Sequence, residues 1–328
     1  MAQPGDSMVP RRGPLVPGTV IDGRYRIVGL IGTWHIGTAY RASGGQGPCT
    51  LVICDVAKGR AATFRDWARE EVERNQASSG PTLVTLTDAG LHGESTLFLA
   101  LRPWEGRSLL AEIKENGAMS NERACRIGEA LSKIVARAHS NRLTLGGLRP
   151  STVLLAPTTE AVIVLDLGMG RGLADYLEHA PSMAAAYASP ERLLSLPIGP
   201  ADDIYAAGAL LYYLLTGQAP AAGRPGEAKL VTPPSWTRKD EGVARYIDSV
   251  VLKAMARRPS DRHTANELVL AMGALREVFQ ISSAARDVLG LPSDGTPFRH
   301  EPTSPFFLHD LLGIDTTDAL APRKSPKE

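Results

Sequence analysis

The stretch Leu145–Leu155, LGGLRPSTVLL, sets two adjacent glycines and a proline ahead of three aliphatic side chains, Val153, Leu154 and Leu155. The aliphatic run opens a short strand, TVLLA, and a second strand, AVIVLDLG, follows it. Upstream, NERACRIGEALSKIVARAHSN places Ile127, Leu131, Ile134 and Val135 at helical spacing, and RSLLAEIKENG before it reads the same way. Downstream, residues 201–216, 242–256 and 264–279 also read as helices. Residues 103–280 are therefore expected to form a mainly α-helical lobe.

Before Pro103 the pattern is different. Three β-like runs, RYRIVGLIG, GTAYRAS and CTLVICDV, are separated by Gly and Pro and read as an antiparallel meander. AATFRDWAREEVERNQ, residues 61–76, has helix formers and neither Gly nor Pro. PTLVTLTDAG and STLFLALRP add two strands. The expected class is α+β, with a small five-stranded antiparallel lobe (24–102) holding one helix, then the larger helical lobe. Residues 1–18, rich in Pro and Gly, are expected to be a disordered arm. Residues 281–328 are expected to be a mostly disordered tail. Within it TSPFFLHDLLGID, residues 303–315, collects Phe306, Phe307, Leu308, Leu311, Leu312 and Ile314. This segment reads either as a motif that docks on a partner or as one that packs back on its own domain.

Composition excludes several function classes. A formal net charge of +1 gives no general pull toward nucleic acid. No apolar run reaches the roughly 20 residues that span a bilayer. The first residues carry no apolar h-region, so no secretory signal is expected. Cys49, Cys54 and Cys125 have no paired or metal-type spacing. A reduced, cytoplasmic protein without disulfides is expected.

Six segments, in order, resemble the motifs of the protein kinase superfamily, nearest to the bacterial Ser/Thr (Hanks-type) kinases. LIGTWHIGTAYRA, residues 30–42, is similar to the Gly-rich loop, whose glycines let backbone N–H groups approach phosphates. Gly32 and Gly37 match, but Trp34 stands at the middle glycine. TLVICDV resembles the third-strand motif with Cys54 at the phosphate-pairing lysine. In the next helix Glu71 matches the glutamate that pairs with that lysine; without its partner it is either a solvated helix charge or paired with a local Arg. LGGLRPSTVLL resembles the catalytic loop, with Gly147 in place of the catalytic Asp and Thr152 in place of the metal-binding Asn. LDLGMGRG resembles the DFG motif and keeps Asp166. The structural motifs are well kept: SPE with Glu191, ADDIYAAGALLYYLLTG with Asp203 and Gly208, and RRPSDR with Arg262, which the resemblance pairs with Glu191.

The resemblance implies a nucleotide cleft lined by Gly32, Trp34, Gly37, Ala39, Val52, Leu101, Trp104 and Leu154, with Asp166 retained either as a metal ligand or as a structural carboxylate. No catalytic residue is intact, because Cys54, Gly147 and Thr152 are degenerate positions. The residues lost are those that catalysis needs, and those kept are those that the fold needs. The expected function is a pseudokinase that acts as scaffold or allosteric regulator of a protein partner, an active kinase or another signalling protein. No cofactor is then expected, although Asp166 keeps ATP and Mg²⁺ open. The alternatives are an atypical active Ser/Thr kinase and an ATP-binding sensor without phosphoryl transfer.

Overall fold

A computed structural model describes residues 14–34, 36–75, 79–168, 171–177, 185–220, 231–238 and 243–288, the last eight by backbone alone. The apolar segment 303–315 lies outside the described residues.

The first lobe is a six-stranded sheet in the order β1-β2-β3-β4-β7-β6. Its strands are β1 (Val20–Ile21), β2 (Tyr25–Trp34), β3 (Gly37–Gly44), β4 (Gly47–Asp55), β6 (Leu86–His92) and β7 (Thr96–Leu101). The five expected strands are joined at one edge by the two-residue β1. All pairings in this sheet are antiparallel. Helix α1 (Ala61–Asn75) crosses it and buries Phe64, Ala68, Glu71 and Asn75, a single face at i, i+4, i+7 and i+11. Contacts begin inside the stretch expected to be an arm: the Leu15 N–H donates to the Tyr40 hydroxyl at 3.0 Å.

PTLVTLTDAG divides between two sheets at the buried Thr85. Its first part, β5 (Leu83–Val84), leaves the lobe and pairs in parallel with β10 (Val162–Leu165). A second sheet, β5-β10-β9-β8, thus ties the lobes together; β8 is Arg107–Ser108 and β9 is Val153–Leu155. Period-2 patterning does not reveal such a switch, because β5 is only two residues long.

The second lobe is built from α2 (Leu109–Asn116), α3 (Asn121–Ser140), α4 (Pro190–Leu193), α5 (Pro200–Thr216), α6 (Pro234–Thr237), α7 (Arg245–Ala254) and α8 (Ala265–Val288). Ser120 caps α3 by accepting the Arg123 N–H, and Gly217 at φ +70° ends α5. Helix α5 is apolar on nearly all sides and is buried from Asp202 to Thr216 except at Tyr205. Helix α8 runs eight residues past the expected boundary at 280. Among the described residues no helix is long and apolar enough to cross a membrane.

Candidate functional site

The cleft between the lobes is where the sequence placed its candidate residues, and it is filled with apolar side chains. Ala39, Val52, Cys54, Leu101 and Leu154 are buried together with Ile36, Leu165 and Leu167 in one cluster that runs from the first lobe into the second. Trp34, at the tip of β2, packs on this cluster and leans on Trp104, with ring centroids 5.4 Å apart and planes tilted by 42°. The Gly-rich loop is thereby joined to the hinge by an aromatic pair. The two best-formed cavities among the described residues are about 10 Å³ each, room for one water, and both lie in the second lobe.

Gly32 and Gly37 serve different ends. A Cβ on Gly32 would meet nothing within 4 Å. A Cβ on Gly37 would lie 2.1 Å from the Ile53 carbonyl oxygen and 2.8 Å from Cys54 Sγ. Gly37 is thus required by the close approach of β3 to β4, whatever the loop binds. Cys54 pairs across β4 and β7 with Leu97, and burial, helped by Asp55, pushes its thiol far above the ordinary range. It supplies neither a cation nor a thiolate. Lys58 lies beyond the strand and is exposed.

The catalytic-loop segment is held firmly. Leu145 is 1% exposed in the second-lobe core. Asp203, on α5, accepts from the Leu145 N–H (2.8 Å) and the Gly146 N–H (2.7 Å), and His139 Nε2 lies 2.9 Å from its Oδ2. The Thr152 hydroxyl is turned into its own loop, donating to the Gly147 carbonyl at 2.9 Å. Gly147 has no side chain to offer. Below, Arg262 Nη2 donates to Glu191 Oε2 at 2.8 Å and a second Arg262 nitrogen donates to Glu191 Oε1, a two-pronged ion pair. Gly208 lets α5 meet α7: a Cβ there would lie 2.7 Å from Ala254 Cβ.

The centre of the site is a cation that the motif comparison passed over. Arg171, five residues after Asp166, inserts its guanidinium between Glu71 and Asp166. Its Nε donates to Glu71 Oε1 at 2.7 Å, its Nη2 to the same oxygen and to Asp166 Oδ2 at 2.7 Å, and its Nη1 to the Thr144 carbonyl at 2.6 Å. Glu71, fully buried, also accepts from Arg74 and from Asn75. Asp166 Oδ1 accepts the Gly168 N–H at 3.1 Å. Both Asp166 oxygens therefore have protein donors. Burial pushes the Asp166 carboxyl up to about 6, with Arg171 opposing and Glu71 adding to the rise. Burial alone would lower the Arg171 guanidinium; the charges of Asp166 and Glu71 outweigh it, and the net direction is upward.

The segment carrying Arg171 is built into the first lobe. The Trp67 indole N–H donates to the Arg171 carbonyl at 2.7 Å. Trp67 also stacks on Phe64 and touches Tyr176, and Phe64 meets Tyr176 edge-on. Val56 bridges to Leu177, the Ala57 N–H donates to the Tyr176 carbonyl, and Leu173 is fully buried. Gly168, at φ +77°, has no room for a Cβ beside Trp67 and Glu71. The one sequence cue to Arg171 is a single arginine among glycines, GMGRG, in a chain with Cys54 where the resemblance expects a strand lysine.

The protein kinase domain profile matches residues 25–271. A probable serine/threonine-protein kinase of Corynebacterium efficiens is 29% identical over 297 residues, covering 84% of this chain and 44% of the relative. The probable serine/threonine-protein kinase PknB of Corynebacterium glutamicum is 28% identical over 289 residues, covering 81% of this chain and 44% of the relative. The chain thus spans less than half the length of these curated relatives. The crystal structure of the Mycobacterium tuberculosis PknI kinase domain superposes with a TM-score of 0.63 at 21% identity, covering 80% of this chain and all of that one. That likeness establishes the two-lobed fold.

Proposed function

This chain belongs to the protein kinase family, and within it we propose that the protein works as a pseudokinase, regulating a protein partner by contact rather than by transferring phosphate. The observation that supports this is the Arg171 guanidinium held between Glu71 and Asp166. In a phosphoryl-transferring kinase the helix glutamate pairs with a strand lysine and the DFG aspartate holds magnesium. Here an internal arginine satisfies both carboxylates. The residues present do not fit a magnesium–nucleotide complex. Asp166 is already bonded through both oxygens, Thr152 turns its hydroxyl to the loop backbone, Cys54 carries no charge, and Trp34 with Trp104 adjoins the buried apolar cluster. Among the described residues no acid or base stands in for an aspartate at Gly147, since Arg149 cannot accept a proton at neutral pH. What is retained is the framework: Glu191 with Arg262, Asp203 under the loop, and Gly208 between helices.

A second reading, an active serine/threonine kinase, is favoured by the descriptions of the corynebacterial relatives. Titrating the full chain with ATP, with and without Mg²⁺, while following its melting temperature separates the two. The pseudokinase gives no magnesium-dependent rise and no transfer of labelled phosphate to itself or to a generic protein substrate. A magnesium-dependent rise without transfer makes the protein a nucleotide sensor. Transfer abolished by Asp166→Ala makes it a kinase. Pull-down with the intact chain then identifies the partner.

A further inference from the structure

Exposed apolar side chains are not scattered evenly over this domain. Of the nine large ones among the described residues, five, Val16, Val20, Val28, Leu30 and Ile31, fall within residues 16–31. A single exposed leucine is ordinary on a protein surface, but a cluster marks a contact. Val28, Leu30 and Ile31 are 58%, 49% and 43% exposed and lie on β2. β1 pairs only with Tyr25 and Arg26. The residues before β1 reach only as far as Ile27, whose N–H donates to the Thr19 carbonyl and whose carbonyl accepts the Gly18 N–H, both at 2.8 Å. From Val28 to Trp34, β2 pairs with β3 on one side and with no described strand on the other. This is an open sheet edge. Val28 and Ile31 fall at two bulges, which bend it. The charges and prolines that also protect natural edges are missing from Ile27 to Trp34.

The charge beside this edge has one sign. Residues 25–44 carry Arg26 and Arg41, both exposed, and no carboxylate. Arg26 stands two residues before Val28, and Arg41 faces Gly29 across the pairing of β2 with β3. Asp22 and Asp88, near the start of β2, are already held by Arg24 and the Tyr25 hydroxyl.

One segment of this chain has the complementary character. Thr303–Asp315 gathers six apolar side chains, and residues 301–322 hold Glu301, Asp310, Asp315 and Asp318 with neither lysine nor arginine. The last described residue is Val288, at the end of α8. The fifteen residues from there to Thr303 span about 50 Å when extended, and a domain of this size is about 45 Å across. The segment therefore has the length to reach the first lobe of its own chain. We propose that the open edge of β2 is a docking site for Thr303–Asp315 of the same chain. The apolar side chains of the segment cover Val28, Leu30 and Ile31, and its carboxylates lie toward Arg26 and Arg41. Docked, the segment keeps the edge from pairing with another chain; displaced, it leaves an apolar edge open to a partner strand. The site rests on the edge of β2 and not on the cleft, so it stands under either reading of the cleft.

The test is hydrogen exchange of the full chain, read by mass spectrometry. Phe306→Asp together with Phe307→Asp raises the exchange of residues 28–34 by at least about threefold and leaves α5 unchanged. Arg26→Glu with Arg41→Glu raises it likewise, and adding Asp310→Lys with Asp315→Lys restores the protection. Protection is equal at protein concentrations about tenfold apart, because a tethered segment binds independently of total concentration. Unchanged exchange at residues 28–34 in the phenylalanine variant, or no restoration by the charge swap, overturns the site. Protection that grows with concentration assigns the edge to a second copy and also overturns it. Should a variant not fold, a benzophenone side chain at position 307 of the otherwise unaltered chain must crosslink to residues 16–41 of that same chain. Crosslinks elsewhere, or between chains, overturn the site.

Discussion

Replacing Arg171 by Met keeps most of the side-chain volume and removes the charge that two buried carboxylates share. Asp166, 3% exposed, would keep only the Gly168 N–H, while Glu71 would keep Arg74 and Asn75. Breaking one partner of a buried ion pair costs about 3–5 kcal/mol, because the remaining charge stays desolvated. The lost bond to the Thr144 carbonyl adds about 1 kcal/mol, and relief from burying the guanidinium works against both. A net loss of about 3–5 kcal/mol is expected, which for a domain of this size lowers the melting temperature by about 6–20 °C. The assay is urea unfolding of the parent, Arg171→Met, Asp166→Asn and the double variant. Asp166→Asn removes the stranded charge, so the double variant should be more stable than the sum of the singles predicts by at least about 1.5 kcal/mol. A loss under about 0.5 kcal/mol for Arg171→Met, or strict additivity in the cycle, would refute the central role given to this guanidinium.

Glu191→Ala leaves the fully buried Arg262 side chain without its carboxylate and should cost about 3–5 kcal/mol by denaturant titration, well beyond a typical surface ion pair. Gly37→Ala should destabilise by about 1–3 kcal/mol, because its Cβ meets the Ile53 carbonyl, whereas Gly32→Ala has open space and should stay within about 1 kcal/mol of the parent. The pH dependence has a definite sign at Asp166. Its folded pKa of about 6 lies above the unfolded value near 4, so the folded state binds the extra proton between these limits. Relative to Asp166→Asn, the parent should therefore lose on the order of 2–3 kcal/mol of stability as pH rises from 4 to 7. A gain over that window would show that the Arg171 charge dominates burial.

The order of the six motifs, the helical spacing of Ile127, Leu131 and Ile134, and the apolar α5 segment are properties of the chain itself, and they specified the two-lobed α+β fold. The identities of Cys54, Gly147 and Thr152 are likewise read from the chain alone, since a side chain carries the same functional groups in any conformation. Glu191 with Arg262 was legible for the same reason: both residues sit in segments whose order resembles a known fold. The tertiary structure decided where the leftover charges went. Glu71 was equally a solvated charge or a paired one until α1 placed it in the core against Arg171, one hundred residues away. Trp34 could have turned outward until the hinge presented Trp104. Gly37 matched a phosphate-loop glycine, yet the contact that requires it is the backbone of β4. Only packing left Arg149 Nε and Nη2 buried without an acceptor. Burial and ion pairing arise from segments distant in the chain, and neither spacing nor composition records which distant groups will share a low-dielectric site.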